Sequence, residues 1–215
     1  MCSLICTFVV LFFCYWFGLL AFSYIEISGD GEKAAGDSVE RSIRDWKGLH
    51  FLTRSDKIAR FLQKSAWVDH VEVYKSFDGG LRLTLGYRVP VLRSISGRFL
   101  VDSGGHLIDV YVSDDLLRLP IFDGDVHSAR QAYRLWSRLG VWKGRVLSMI
   151  CDEFSGWEVL FDNKVTVRLG GRNLVDRLDL FLKVAEHWSL QESNQEQVFD
   201  MRYNKSFSHK VATKE

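Results

Sequence analysis

Val68-Asp69-His70-Val71-Glu72-Val73-Tyr74-Lys75-Ser76-Phe77-Asp78-Gly79-Gly80-Leu81-Arg82-Leu83-Thr84-Leu85-Gly86-Tyr87 reads as a β-hairpin. Val68–Tyr74 alternates around Val71 and Val73, and Leu81, Leu83, Leu85 and Tyr87 share one face of the next run. That period of two is the spacing of a strand, and Ser76-Phe77-Asp78-Gly79-Gly80 carries the residues of a turn. Upstream, Ser55 caps a predicted helix through Lys64 with Ile58, Phe61 and Leu62 as its apolar stripe. Asp37 with Glu40 resembles a capping box that opens a helix to about Trp46, ended by Gly48. Tyr24-Ile25-Glu26-Ile27-Ser28-Gly29 alternates as a short strand. Residues 24–90 therefore read strand–helix–helix–strand–strand, an α+β unit in which two helices cover one sheet face.

Downstream, two strands are expected at Arg98–Val101 and His106–Val112, joined at Asp102-Ser103-Gly104-Gly105. Leu119-Pro120 breaks the chain. Asp125–Leu139 is a predicted amphipathic helix carrying Val126, Ala129, Tyr133 and Trp136. Strands follow at about Arg145–Cys151, Trp157–Phe161 and Val165–Arg168, then a helix over Asn173–Trp188. After a polar loop, Gln191–Gln197, the last predicted strand is Val198–Tyr203, and the tail beyond Val211 is polar. The expected domains are an anchor at 1–25, an α+β unit at 26–92 and a mixed β-sheet domain with flanking helices at 93–211.

The anchor is read from the N-terminus. No Asp, Glu, Lys or Arg precedes Glu26, and Leu4–Ile25 is an apolar run. A helix of that length is about 33 Å long, enough for a hydrocarbon core of about 30 Å. A cleaved signal peptide ending near Ala21-Phe22-Ser23 is the alternative, but no Lys or Arg precedes the run. The flank after it is acidic (Glu26, Asp30, Glu32), which favours a cytoplasmic N-terminus and a translocated bulk. A net charge of +1 argues against a nucleic-acid partner, which calls for a basic face. Cys2, Cys6 and Cys14 lie in or beside the apolar run, so Cys151 alone in the remainder offers no internal disulfide.

The sequence carries no catalytic or metal-ligating constellation. The histidines are widely spaced, with no H-E-x-x-H, C-x-x-C or G-x-S-x-G. Leu169-Gly170-Gly171-Arg172 lacks the G-K-[ST] of a phosphate loop and reads as a strand-to-helix turn. Asp114-Asp115 and Asp123/Asp125 read as solvated turn residues, and Cys151 has no adjacent His or Lys to activate it. The expectation is a non-enzyme with no cofactor, no metal and no small-molecule substrate.

Several short matches in order resemble one family. Ile25-Glu26-Ile27-Ser28-Gly29 is similar to an I-x-V-x-G strand, and Trp67-Val68-Asp69-His70-Val71-Glu72-Val73 to a W-V-x-x-V-x-V stretch. Val89-Pro90-Val91, Leu100-Val101-Asp102 with Gly105, and Leu119-Pro120-Ile121-Phe122-Asp123-Gly124 follow. Leu169-Gly170 with Arg177-Leu178-Asp179-Leu180-Phe181 and finally Asp200-Met201-Arg202-Tyr203 complete the series. Together these resemble the FtsQ/DivIB family of bacterial cell-division proteins. Where the family has L-G-R, the arginine falls one later, on Arg172.

The resemblance implies a single-pass inner-membrane protein with a POTRA domain and a C-terminal β domain. It implies a non-catalytic divisome scaffold at the septum, binding the bitopic partners FtsB and FtsL by strand addition. Val198–Tyr203 is expected to be the open sheet edge. Arg202 and Tyr203 match the family's partner-binding positions, with Arg202 offering a charged fork to an acidic partner. Phe207, beyond the matched motif, and Arg172 complete the candidate set. The rival readings are a POTRA-type protein that handles polypeptides in export and an anchored cell-wall hydrolase.

Overall fold

In the computed structural model, which describes residues 21–31, 33–46, 49–50, 52–187, 196–203 and 206–211, the opening segment forms β1 (Tyr24–Ser28), α1 (Lys33–Asp45), α2 (Ser55–Leu62), β2 (Val68–Lys75) and β3 (Gly80–Tyr87). The strand–helix–helix–strand–strand order matches the sequence reading. Leu81, Leu83 and Leu85 of β3 are buried against Val39 and Ile43 of α1 and Ile58 and Leu62 of α2. β3 is consequently the central strand, in the order β1-β3-β2. β2 joins it antiparallel across the turn, and β1 joins parallel with Tyr24 opposite Gly80 and Ser28 opposite Thr84. Two details differ. α1 begins at Lys33, so the Asp37/Glu40 pair lies inside the helix instead of capping it. Ser55 is the first helical residue of α2, and the cap is Arg54, without a side-chain cap bond.

The chain divides into two compact units, Met1–Val89 and Pro90–Glu215. The second unit carries a nine-stranded mixed sheet. Its strands are β4 (Pro90–Ser94), β5 (Leu100–Asp102), β6 (Leu107–Ile108), β7 (Ile121–Asp123), β8 (Val146–Asp152), β9 (Gly156–Phe161), β10 (Val165–Gly170), β11 (Gln197–Asp200) and β12 (Ser208–Val211). Their spatial order is β12-β11-β10-β9-β8-β7-β4-β5-β6. Two helices, α3 (Ala129–Arg138) and α4 (Leu174–His187), place Ala132, Leu135, Leu178 and Phe181 in one core with Phe122, Met149, Val159, Phe161, Val167 and Phe199. The α+β class and the membership of the sheet by the later strands agree with the sequence reading.

Corrections in this unit have local causes. β5 stops at Asp102 because its carboxylate turns back to accept the N–H groups of Gly104 (2.8 Å) and His106 (2.7 Å). The pair expected at Arg98–Val101 and His106–Val112 is thereby shortened to Leu100–Asp102 and Leu107–Ile108. Asp125 does not begin a helix. It accepts the N–H (2.8 Å) and Oγ–H (2.7 Å) of Ser128, just before α3, and these bonds hold its carboxyl below the usual range. β4, β7 and β12 are strands that the sequence reading did not contain.

The predicted anchor over 1–25 has residues 1–20 outside the described set, and so do the tail after Val211, most of the polar loop Gln191–Gln197 and Gly48. Among the described residues no helix is long and apolar enough to cross a membrane.

Candidate interaction edge

β11 is short but strongly held. Phe199 is fully buried and meets Phe181 edge-on at 5.5 Å, while Phe181 stacks on Phe161 at 5.8 Å. Val165–Arg168 of β10 pair with Gln197–Asp200 in parallel, and the Met201 N–H donates to the Arg168 carbonyl at 2.9 Å. On its other side β11 pairs antiparallel with β12, Gln197 opposite Val211 and Asp200 opposite Ser208. The expectation that Val198–Tyr203 is an open edge is therefore overturned: Gln197–Asp200 lies between two strands, and the strand stops at Asp200. Among the described residues the outermost strand at this end is β12.

The physical reason lies in Phe207 and His209. The His209 ring stacks on Phe199 at 4.4 Å and 22°, and its Nε2 lies 2.9 Å from the Gln197 Oε1. Phe207 packs partly buried against the same core, 6.2 Å from Phe199. Ring packing at alternate positions docks Ser208–Val211 onto β11 although its other side chains are exposed. Burial pushes the His209 imidazole below its ordinary pKa.

Arg202 does offer a fork, but to its own chain. Its Nε approaches Asp200 Oδ1 at 2.9 Å and its Nη2 approaches Oδ2 at 2.6 Å. The Asp200 carboxyl, largely buried, is held below the usual carboxylate range by the Arg202 guanidinium. Arg202, expected to offer a charged fork to an acidic partner, is thus paired within its own chain, with its side chain still about half exposed. The segment is fixed further by Arg177 of α4, which donates from Nη1 to the Leu169 carbonyl (2.6 Å) and from Nη2 to the Arg202 carbonyl (2.7 Å). Gly170 sits beneath, at φ +75°, where a Cβ would approach the Arg202 Cγ to 3.0 Å. The stem of Arg202 lies across a position that only glycine leaves open.

Tyr203 emerges from this clamp half exposed, at 54%. Arg172 is exposed in the turn between β10 and α4, and no described hydrogen bond joins it to Arg202, Tyr203 or Phe207. The fold thus gathers Arg202 and Tyr203 at the end of β11 and Phe207 at the start of β12. Sequence reasoning missed Asp200, Arg177 and His209 as the parts that shape this edge. Asp200 and Arg202 were readable as a same-face pair from strand alternation, and Arg177 stood in the quoted R-L-x-x-F run. Nothing local marked His209.

Beyond β12 no strand follows among the described residues, so one line of its N–H and C=O groups faces outward. Ser208, Lys210 and Val211 are exposed. The opposite end of the sheet closes on β6, only Leu107–Ile108. Elsewhere, burial raises the Cys151 thiol above its ordinary pKa, which keeps it protonated.

The family model described as "Cell division protein FtsQ/DivIB, C-terminal" matches residues 91–202, just over half of the chain. The chain is 28% identical over 151 residues to "Cell division protein FtsQ" of Neisseria meningitidis serogroup B, a span that is 68% of this chain and 63% of that protein. It is 29% identical over 146 residues to the protein of the same name from Neisseria gonorrhoeae, 66% of this chain and 59% of that one. For the protein of that name from Vibrio cholerae the identity is 22% over 195 residues, 86% of this chain and 73% of the relative. The match thus spans less than two thirds of the length of the two Neisseria relatives. Tyr203, Phe207 and β12 lie just past the matched residues.

Proposed function

As this chain belongs to the FtsQ/DivIB family of cell-division proteins, we propose that it is a membrane-anchored, non-catalytic divisome scaffold that captures FtsB/FtsL-type bitopic partners by strand addition on the outer edge of β12. The observation that carries the proposal is that Ser208–Val211 forms the outermost strand at this end of the sheet among the described residues, held against β11 by His209 and Phe207. An incoming strand draws affinity from main-chain hydrogen bonds along such an edge and specificity from alternate side chains. A prepacked ribbon spares the partner the cost of ordering its receptor. Tyr203 stands where the chain turns from β11 toward β12, and its exposed ring suits an anchor contact of the kind aromatic residues supply at interfaces. Arg202 acts in this reading as a positioning residue, folded onto Asp200. The N-terminal β-α-α-β-β unit serves as a POTRA domain for further divisome members. The apolar run from Leu4 to just before β1, the strand that takes Tyr24 and Ile25, holds the chain in the inner membrane, with the N-terminus cytoplasmic and the bulk periplasmic at the septum.

Tyr203→Ala in the full chain tests this. Capture of an FtsB-type partner is expected to weaken by about tenfold or more, the scale of an aromatic hot spot. The melting temperature should stay unchanged, because the ring is half exposed. Equal capture by variant and parent contradicts the proposal.

A further inference from the structure

Among the described residues of the first unit Phe77 is the most exposed large apolar side chain, at 105% relative accessibility, and it sits at the tip of the β2–β3 hairpin. Its place in the fold is set by register. β1 enters the sheet at Tyr24, opposite Gly80, and runs parallel to β3 away from the hairpin turn. The turn therefore lies level with the point at which the chain enters the sheet. Three contacts fasten the two together. The Ser23 N–H donates to the Gly79 carbonyl at 2.9 Å, Ser23 Oγ donates to the Asp78 carbonyl at 3.4 Å, and the Tyr24 hydroxyl donates to Asp78 Oδ2 at 3.1 Å. Gly80 leaves no room for a side chain there: a Cβ would come within 2.3 Å of the Tyr24 ring. The fastened residues, Ser23 and Tyr24, belong to the end of the uncharged run Leu4–Ile25.

We infer that the β2–β3 turn is a membrane-contacting tip, with Phe77 seated among the lipid headgroups beside the anchor. The inference rests on the reading that the apolar run from Leu4 to just before β1 spans the bilayer. If that span ends near Tyr24, a turn tied to Ser23 and Tyr24 lies within the headgroup layer, which adds roughly 5–8 Å on each side of the hydrocarbon core. Neighbouring strands are only about 4.8 Å apart, so the tip needs no further extension to reach it. Phenylalanine is among the apolar residues that interfacial segments bury at the boundary of headgroups and acyl chains, so this fully exposed ring fits there better than in water. Asp78 sets the depth. Hydrogen bonds from Ser76, the Gly80 N–H and the Tyr24 hydroxyl hold its carboxyl below the usual range, so it remains ionised and keeps the turn at the headgroups and out of the hydrocarbon. The occupant is thus a lipid surface; a protein partner on Phe77 is the competing outcome.

Photocrosslinking of the full chain distinguishes them. p-Benzoylphenylalanine is placed at position 77 or, for comparison, at position 70. His70 is exposed on β2 opposite Gly86, six residues along β3 from Gly80 and so about 20 Å from the turn. The chains are reconstituted in vesicles of phosphatidylethanolamine and phosphatidylglycerol, irradiated and weighed by mass spectrometry; the same variants are irradiated in cell membranes. Lipid adducts at 77, several-fold above those at 70, are the expected result in both settings. Chains that resist carbonate extraction yet give no excess of lipid adducts at 77 overturn the inference and leave the anchor standing. Protein adducts replacing lipid at 77 in cells overturn it in favour of a partner. Release of the chain by carbonate removes the anchor reading and this inference together.

Discussion

Gly156 adopts φ +76°, and a Cβ there would lie 2.2 Å from the carbonyl carbon of Gly170 and 2.5 Å from its oxygen. Gly170 is itself left-handed and carries the stem of Arg202. Two glycines on neighbouring strands thus approach at the register shift between Arg168 and Gly170, directly under the residues that aim Tyr203. Gly156→Ala is expected to cost more than the roughly 1–2 kcal/mol of the left-handed conformation, because the obstructing atoms are backbone. Chemical denaturation measures it, and a midpoint equal to that of the parent contradicts the close approach. Leu169 and Gly170, read as part of a strand-to-helix turn, complete β10 and leave the turn to 171–173. The glycines themselves were legible in the sequence. Their contact was not legible, since it depends on a pairing register that neither stretch encodes alone. Arg202 was read as part of an edge strand, Val198–Tyr203, whereas the strand stops at Asp200 and Arg202 folds back onto that carboxylate.

At the scale of elements, β12 is held by ring packing, and this makes it sensitive to protonation. The His209 imidazole is pushed down by burial, facing the neutral Gln197 amide and the Phe199 ring, with Lys210 next to it in the chain. Its unfolded value is about 6.5. The packing contribution is therefore complete above about pH 6.5 and is lost as pH falls through the lower folded value, because the unpacked ring takes up a proton first. Hydrogen exchange at β12, corrected for intrinsic rates, should show it opening more readily on going from about pH 7.5 to about pH 5.5. His209→Phe should abolish that trend; an identical trend in both chains contradicts it. The same strand shows where periodicity runs out. The hairpin of β2 and β3 was readable because each strand alternates over eight residues and the partners are adjacent in sequence. β4, β7 and β12 span five, three and four residues. β7 is ordered by parallel neighbours on both sides, β4 and β8, brought from far along the chain. Segments that short carry too few positions for a pattern, and tertiary pairing decides them.

Across the whole molecule, the family resemblance and the α+β class both survive, while the outermost strand at this end of the sheet is Ser208–Val211 in place of the expected Val198–Tyr203, and the proposed docking edge moves with it. That shift changes what recognition depends on. A partner adding to β12 meets Lys210 and the exposed flanks of Ser208 and Val211 first, and reaches Tyr203 only at the turn. The aromatic core behind it runs from Phe161 through Phe181 to Phe199, on which the His209 ring of β12 stacks. The most direct test is amide hydrogen exchange on the full chain with and without a saturating FtsB-type partner. The outward-facing amides of Ser208–Val211 are predicted to gain protection while those already paired to β11 change little. Binding at full affinity with every β12 amide exchanging as in the free chain contradicts the account.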